Sequence, residues 1–489
     1  MFNRFGRNLS LVSIALFALI LGGKASGLLK DVLITYSFGV SKETDAFFLA
    51  TYISTLIYIG LYSSISIVII PKCKDVLNRK SSAIELYSLY LMYLSLSIFI
   101  SFVTYFFSDE IVALVANNEH VMRKSVDYLK LMALTFPLST AVGILNSLQL
   151  CKNKPLLTYV TPVVNNFAFC VTIYLVDSGD FNLLLYVAIV GWFVLLLFNF
   201  FEQKVRFRKV INRFLLIRKK SLKPTAIGLV VLFVVVEQLT NFIPVYFVSM
   251  GSAGELSEFT YANKLNLFIL SISLLLITSH VLPNLSSKKN LLEIRMVLYK
   301  SFDYLSYFLL PLVIVAAINS KEIVELIFFR GSFSIENVIN VTKIFTLMVL
   351  ILPAFIFKDI LNRVYFVVKK DTECLTITLV TAIVSLVVNS FTYPFFGAIS
   401  VVFNFVIITY IQVVVLFFFL FKFRLWFSLA TFKAFIFRIV NILFVSYCLS
   451  YFDFGLVLYS SLFLLFYISI SYLFRDELLL NSLKKLRVV

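Results

Sequence analysis

Two lysines stand where an apolar helix has little reason to carry them. Lys24 lies within FALILGGKASGLLKDVLITYSF, and Lys264 within EFTYANKLNLFILSISLLLI. An ammonium group near the bilayer centre costs roughly 2.5–3.5 kcal/mol even on the mild insertion scale, so each must face protein, water or a ligand. In a helix over 9–38, Lys24 sits about 20 Å from either end, and in a helix over 256–284, Lys264 lies about 12 Å in, at 1.5 Å per residue. Lys30 and Asp31 follow Lys24 by one to two turns, and Lys24 and Asp31, seven residues apart, share a face. One reading is an intramembrane ion pair with a structural role. The preferred reading is a cationic patch in a wet cavity, where amines replace the water that an anion loses on leaving solution. Such a patch binds and carries; it performs no covalent chemistry.

The remaining polar groups in apolar runs have local explanations. Asp359 and Arg363 form an i,i+4 pair, Lys300 can pair with Asp303, and Lys130 with Asp127. Arg438 can extend its stem to the interface, and Lys343 and Lys358 lie near helix ends. Gln238, Asn241, Asn165, Asn166 and Asn389 read as interhelical hydrogen-bonding groups. Glu237 is the candidate for titration or for binding a monovalent cation during transport. The tract GlyGly before Lys24 and AlaSerGly after it predict a kink there.

The elements that must position these groups follow from composition. Of 489 residues, 61% are apolar and 14% charged, with 54 Phe and 25 Tyr against 10 Pro and 15 Gly. Ordinary soluble enzymes, disordered chains and fibrous chains are excluded. Apolar runs predict an all-α polytopic membrane protein of about fourteen transmembrane helices, over 9–38, 44–71, 84–107, 122–150, 155–176, 182–201, 224–250, 256–284, 292–318, 337–367, 373–394, 397–421, 431–451 and 454–474. The runs are too long, and apolar on too many faces, for barrel strands. The N-terminal apolar run could pass for a signal peptide, but further spans follow at once.

The formal net charge of +17 is mostly topology. Threading the helices alternately places 29 Lys and Arg on one side and five on the other. The positive-inside rule then puts both termini in the cytoplasm. Anionic lipid headgroups, rather than nucleic acid, are the expected partners of the basic face. Five cysteines without CxxC spacing and two histidines argue against a disulfide framework or a metal centre, and no cofactor is expected.

The chain divides around the basic stretch 204–223. It separates an N-terminal six-helix lobe, 1–203, from a second six-helix lobe, 224–422, and 423–489 holds the last two helices and a tail. An internal repeat supports this division. Asp45-Ala-Phe-Phe-Leu-Ala50 ends in Pro71, and Glu258-Phe-Thr-Tyr-Ala262 ends in Pro283, with alanine and proline 21 positions apart in both. Helices two and eight run the same way, so the repeats are parallel, an arrangement suited to alternating access.

At this point the residues resemble the MurJ/MviN family of lipid II flippases, within the multidrug/oligosaccharidyl-lipid/polysaccharide exporter superfamily. Gly23-Lys-Ala-Ser-Gly-Leu-Leu-Lys-Asp31, Ser37-Phe-Gly39 and Thr44-Asp-Ala-Phe-Phe48 look like that family's first-helix signature. Tyr261-Ala-Asn-Lys-Leu265 with Leu282-Pro283, and Phe328-Phe-Arg-Gly-Ser-Phe-Ser334, resemble two further motifs. The resemblance implies export of an undecaprenyl-diphosphate-linked glycan, either lipid II or a surface-polysaccharide repeat unit, with the final helix pair adding a groove for the lipid tail. It implies that Lys24, Lys30 and Lys264 take the places of substrate-holding cavity arginines, and that Asp45 matches an acidic residue at the outer gate. Asp31 is the further candidate for a charge pair. This chain departs from the pattern in three respects. The cavity positions are all lysine, a further arginine pair falls near Ile57 and Tyr58, and a sodium-associated carboxylate falls near Pro244. Coupling to membrane potential or to a monovalent cation is the expected drive. The rival readings are a drug/cation antiporter of the same superfamily, which would prefer acidic lobes, and an intramembrane glycan polymerase or ligase. The latter would be expected to carry a sizeable outer loop with catalytic groups, and the outer loops here are short.

Overall fold

Lipid offers a backbone no hydrogen-bond partners, so apolar runs satisfy their own N–H and C=O groups by coiling into helices. The computed structural model describes residues 2–78, 83–152, 156–175, 181–203, 225–286, 291–420, 429–451, 455–474 and 476. Among these residues the regular structure is entirely helical. The basic segment 204–223, most loop cations behind the charge count, and the C-terminal tail lie outside the described residues.

The first unit by internal contacts comprises residues 1–260 together with 330–333. Its helices are α1 (Phe2–Phe38), α2 (Lys42–Leu77), α3 (Ala83–Phe106), α4 (Ser108–Ala113), α5 (Glu119–Ala133), α6 (Thr135–Cys151), α7 (Leu156–Leu175), α8 (Phe181–Gln203) and α9 (Thr225–Ser249). The start of α10 (Glu255–Ser286) also belongs to it, up to Thr260. The second unit, 261–329 and 334–489, holds the rest of α10, then α11 (Leu291–Ile318), α12 (Ser320–Phe328), α13 (Ile335–Val349), α14 (Leu352–Val367), α15 (Asp371–Leu420), α16 (Leu429–Ser450) and α17 (Leu456–Leu473).

Among the described residues eight helices are long and apolar enough to cross a membrane, or nine if the bent pair α13–α14 is one span. Because Asp371–Leu420 carries two of the expected runs, these helices cover nine of the fourteen expected spans, or ten with the bent pair. Large apolar side chains such as Phe201, Phe391, Phe395 and Leu114 stand exposed, as a lipid-facing surface requires.

Two expected helices are interrupted, and proline explains both. The run 122–150 divides at Leu134 because Pro137 has no N–H for the Ala133 carbonyl. The Ser101 hydroxyl donates to that carbonyl instead, at 2.7 Å. The run 337–367 bends by 42° ahead of Pro353, which has no N–H for the Val349 carbonyl, and the Tyr410 hydroxyl donates to the neighbouring Leu350 carbonyl at 2.9 Å. The two runs 373–394 and 397–421 are two helices, as expected; they meet without an intervening loop at Gly397, where the backbone leaves the helical region at φ +61° and the chain reverses, and they are labelled together as α15. Glycine tolerates that left-handed value because it has no Cβ.

Within the first unit α2 is the central element. Its start is fixed by a capping box in which Ser41 and Thr44 each satisfy the other's backbone N–H. Near that end Phe181 stacks on Phe47, ring centroids 4.6 Å apart, with Phe38 on its other flank. Toward the far end Leu61, Ile65 and Ile69 pack on Leu86, Tyr93 and Ile144. In lipid such clusters hold by close packing rather than by a flight from water. In the second unit, Tyr307 of α11 packs with Ile442 and Val445 of α16 and with Phe463 and Tyr467 of α17.

Candidate functional site

The motif on α1 is positioned by α7. A Cβ on Gly23 would lie 3.7 Å from Pro162, and one on Gly27 would lie 3.4 Å from the Asn166 amide. These two glycines, one turn apart, form the face on which α7 rests. The Asn166 amide donates to the Gly23 carbonyl and to the Ser26 hydroxyl, both at 3.3 Å. The helix runs through Lys24 without a broken turn. Its glycines serve close approach.

That packing sets where the charges go. Lys24, one residue round from the glycine face, is exposed. Lys30 is half-buried, and its ammonium lies 5.5 Å from the centre of the Phe169 ring on α7, a cation–π contact. Six residues of helix separate the two lysines by about 120° of rotation, so they do not share one face. Asp31 is half-buried beside Lys30. Lys264 belongs to the second unit, on α10 just past the unit boundary, half-buried between buried Tyr261 and Leu265. Glu237 is half-buried on α9 in the first unit.

Asp45 is the most completely engaged of the candidates. It is 4% exposed and accepts three hydrogen bonds at the start of α10. The donors are the N–H of Gly254 at 2.6 Å, the N–H of Ser257 at 2.8 Å and the Ser257 hydroxyl. The N–H groups of a first helical turn have no partner inside the helix and carry a partial positive charge, so a carboxylate there satisfies both needs. Thr44 adds a hydroxyl contact to Ser257 at 2.8 Å. The acidic residue expected at a gate is thus a helix cap joining α2 to the first turn of α10.

Three glycines make this junction tight. At Gly254, φ is +97° and a Cβ would lie 2.6 Å from Val40. Gly331 has φ +59°, and a Cβ there would lie 2.4 Å from the Tyr36 carbonyl. A Cβ on Gly39, φ +57°, would lie 2.6 Å from the Ser332 carbonyl. The Ser332 N–H donates to the Tyr36 carbonyl at 3.0 Å. The segment 330–333 is thereby held on the loop between α1 and α2. Sequence reasoning marked Ser37–Gly39 and 328–334 as separate motifs and did not see that they meet. The pairing of a Gly-Ser with a Phe-Gly across nearly 300 residues carries no local signal. Ser257 was missed for the same reason.

Three charge assignments change. Lys130 pairs with Asp109 at 3.1 Å rather than with Asp127, because α4 brings Asp109 alongside α5. Arg438 does not reach an interface; it is 1% exposed and bridges Asp303 and Asp476. Asp303 is therefore committed to Arg438 rather than serving Lys300, which is exposed. The Asp359–Arg363 pair forms as expected, at 2.9 Å. Tyr58, where the resemblance implies a further cation, turns its hydroxyl into the first unit. There it meets Thr140 at 2.6 Å, Ser139 at 2.9 Å and the Phe136 carbonyl at 3.1 Å.

The deciding comparison covers nearly the whole chain. The family model described as "Lipid II flippase MurJ" matches residues 34–471. The chain belongs to the MurJ family. Two curated relatives, both named probable lipid II flippase MurJ, are similar to it. That of Aquifex aeolicus (strain VF5) is 23% identical over 385 residues, covering 73% of this chain and 72% of the relative. That of Buchnera aphidicola subsp. Baizongia pistaciae (strain Bp) is 26% identical over 406 residues, covering 79% and 78%. A solved lipid II flippase MurJ in an inward closed conformation shares the fold with a TM-score of 0.78 at 18% identity, covering 96% of this chain and 99% of that one. An inward-facing multidrug resistance MATE family transporter of the MOP superfamily matches less well, with a TM-score of 0.63 at 13% identity, covering 84% of this chain and 97% of that one. MurJ membership makes this a multi-pass membrane transporter of a bacterial envelope, not a catalyst of chemical conversion.

Proposed function

We propose that this MurJ-family chain carries an undecaprenyl-diphosphate-linked glycan from the inner to the outer leaflet by alternating access. The family match across 34–471 carries the reading. The cations at Lys24, Lys30 and Lys264, on helices otherwise built for lipid, supply its chemistry. The prenyl tail stays in the bilayer while the diphosphate enters the protein, and the amines offset its loss of water. Rocking of the two six-helix lobes, 1–203 and 224–422, opens the site outward, and 423–489 supplies the tail groove. Both termini face the cytoplasm, where the basic loops meet anionic lipid headgroups.

Lysine in place of arginine bears on the cargo. An ammonium grips phosphate as a point charge and lacks the planar fork that fixes orientation. With Tyr58 turned inward as well, the site tolerates varied headgroups, so a surface-polysaccharide repeat unit is as fitting a cargo as lipid II. Drive comes from the membrane potential, at about 2.3 kcal/mol per net negative charge expelled per 100 mV. Glu237 is the group we assign to coupling with a monovalent cation.

The test is translocation of a fluorescent undecaprenyl-diphosphate oligosaccharide in vesicles holding the purified protein. Lys24→Ala and Lys264→Ala should each lower the rate at equal protein content, with Lys24→Arg keeping more activity than Lys24→Ala. Unchanged rates in both alanine variants would sink the cationic reading. Covalent change in the glycan would favour a polymerase or ligase, and movement of drug cations alone would favour an antiporter.

A further inference from the structure

The reversing helix α15 bears no charged residue after Glu373. Its two halves share a cleft of about 490 Å³ that belongs to the second unit alone. That volume lies within the roughly 300–1,000 Å³ usual for ligand pockets. The polar residues Thr372, Glu373 and Thr376 line one end of the cleft, and almost all of its surface is apolar, with Val380, Val384 and Phe419 among its walls. From Thr372 to Val384 the first half rises about 18 Å at 1.5 Å per residue. Half of the hydrocarbon core of a bilayer is about 15 Å thick. The cleft therefore has the length of one leaflet's acyl chain, with its polar end at the headgroup level.

Glu373 lines the mouth, and Lys370 stands beside it, outside the lining. Lys370 and Glu373 form an ion pair at 2.8 Å, and both remain solvent-accessible. The Thr376 hydroxyl is spent within the helix on the Thr372 carbonyl, so the charged pair supplies the recognition. A phosphate beside an ammonium is the headgroup that complements it, with phosphate toward Lys370 and ammonium toward Glu373. We propose that this cleft is a binding site for a phospholipid with an ammonium–phosphate headgroup, drawn from the leaflet on the Lys370 side. The site is independent of the transported cargo and of the lysines assigned to it.

The full chain would be purified in mild detergent from nanodiscs of equal phosphatidylethanolamine and phosphatidylglycerol, and retained lipid counted by native mass spectrometry. The expected result is one retained phosphatidylethanolamine per chain, preferred by up to about fivefold, the most that an exposed ion pair contributes. Val380→Trp and Val384→Trp fill the cleft and should each abolish retention. Lys370→Ser with Glu373→Ser should keep a lipid but bring the two headgroups to equal occupancy. Ile383→Trp, on the exposed face outside the cleft, should change nothing. Retention that survives both cleft-filling variants overturns the proposal. So does loss in the Ile383 control, equal retention of phosphatidylglycerol by the unaltered chain, or retention of a polyprenyl phosphate in place of phospholipid.

Discussion

Replacing Asp45 by alanine removes an acceptor around which two helices meet. The carboxylate is 4% exposed and takes three hydrogen bonds, two from backbone N–H groups and one from the Ser257 hydroxyl. Bonds to a charged group contribute about 1.5–3 kcal/mol each, but they share one carboxylate and do not simply add. Breaking a buried charged contact costs about 3–5 kcal/mol, and the lower figure suits a site whose far donors belong to a helix end. At about 1.4 kcal/mol per tenfold, 3 kcal/mol corresponds to roughly 100-fold easier local opening. Amide hydrogen exchange over residues 250–260 reads this directly, because the Gly254 and Ser257 N–H groups lose their acceptor. Asp45→Asn keeps one acceptor oxygen, and exchange should rise by about tenfold, in line with a loss near 1.4 kcal/mol. Ser257→Ala removes only the hydroxyl bond, worth about 1 kcal/mol, and should raise it about fivefold. If Asp45→Ala leaves exchange at 250–260 unchanged, or if Ser257→Ala matches it, the carboxylate does not hold this junction and the cap argument is wrong.

Other substitutions probe neighbouring features. Gly331→Ala places a methyl 2.4 Å from the Tyr36 carbonyl at positive φ, so expression and thermal stability in detergent should both fall, with Gly331→Asn less damaging than Gly331→Val. Arg438→Ala leaves Asp303 and Asp476 without their cation and should cost about 3–5 kcal/mol, seen as faster proteolysis around α16 and α17. Arg438→Lys cannot span both carboxylates as the guanidinium does and should recover only part of that loss. Asn166→Leu removes the amide that ties α7 to Gly23 and Ser26, and should lower the unfolding temperature by a few degrees, as expected for about 1–2 kcal/mol in a large chain.

How much of this could be read beforehand depended on sequence distance. The helices were legible because an apolar run of about 20 residues has few alternatives in lipid. The Asp359–Arg363 pair was legible because it lies within one turn. The breaks at Leu134 and Leu350 were missed although Pro137 and Pro353 mark them, because the flanking residues stay apolar across each break. Gly22, Gly23 and Gly27 suggested flexibility; only the position of α7 shows that the last two serve contact. Arg438 was misread because its two carboxylates lie 135 and 38 residues away. The candidate site was legible as residues but not as an arrangement. Asp45 stood out by type, whereas its donors at Gly254 and Ser257 are ordinary residues until α10 brings them near.

The chain treats its intramembrane cations in two ways, and the contrast bears on what they are for. Arg438 is sealed among groups that use its whole fork: both carboxylates, the Asp303 carbonyl and the Ser306 hydroxyl. Nothing is left to bind a guest, and its worth is positional, fixing α16 against α11 and against Asp476, three residues beyond α17. Lys24 is exposed and Lys30 lies against a phenylalanine ring. A ring face steadies an ammonium by about 0.5–1 kcal/mol at accessible sites, far less than a buried carboxylate does. It therefore leaves most of the charge available to an incoming phosphate. A cation held so lightly is costly in lipid unless something recovers the cost during the working cycle, and under the proposed function the anionic cargo does so each time it binds. On the proposed cargo-binding role, the same logic suits lysine to positions 24 and 30, whereas the two carboxylates at position 438 need the fork of an arginine. A passing diphosphate must be released on the far side, and a point charge lets go more readily than a bidentate fork.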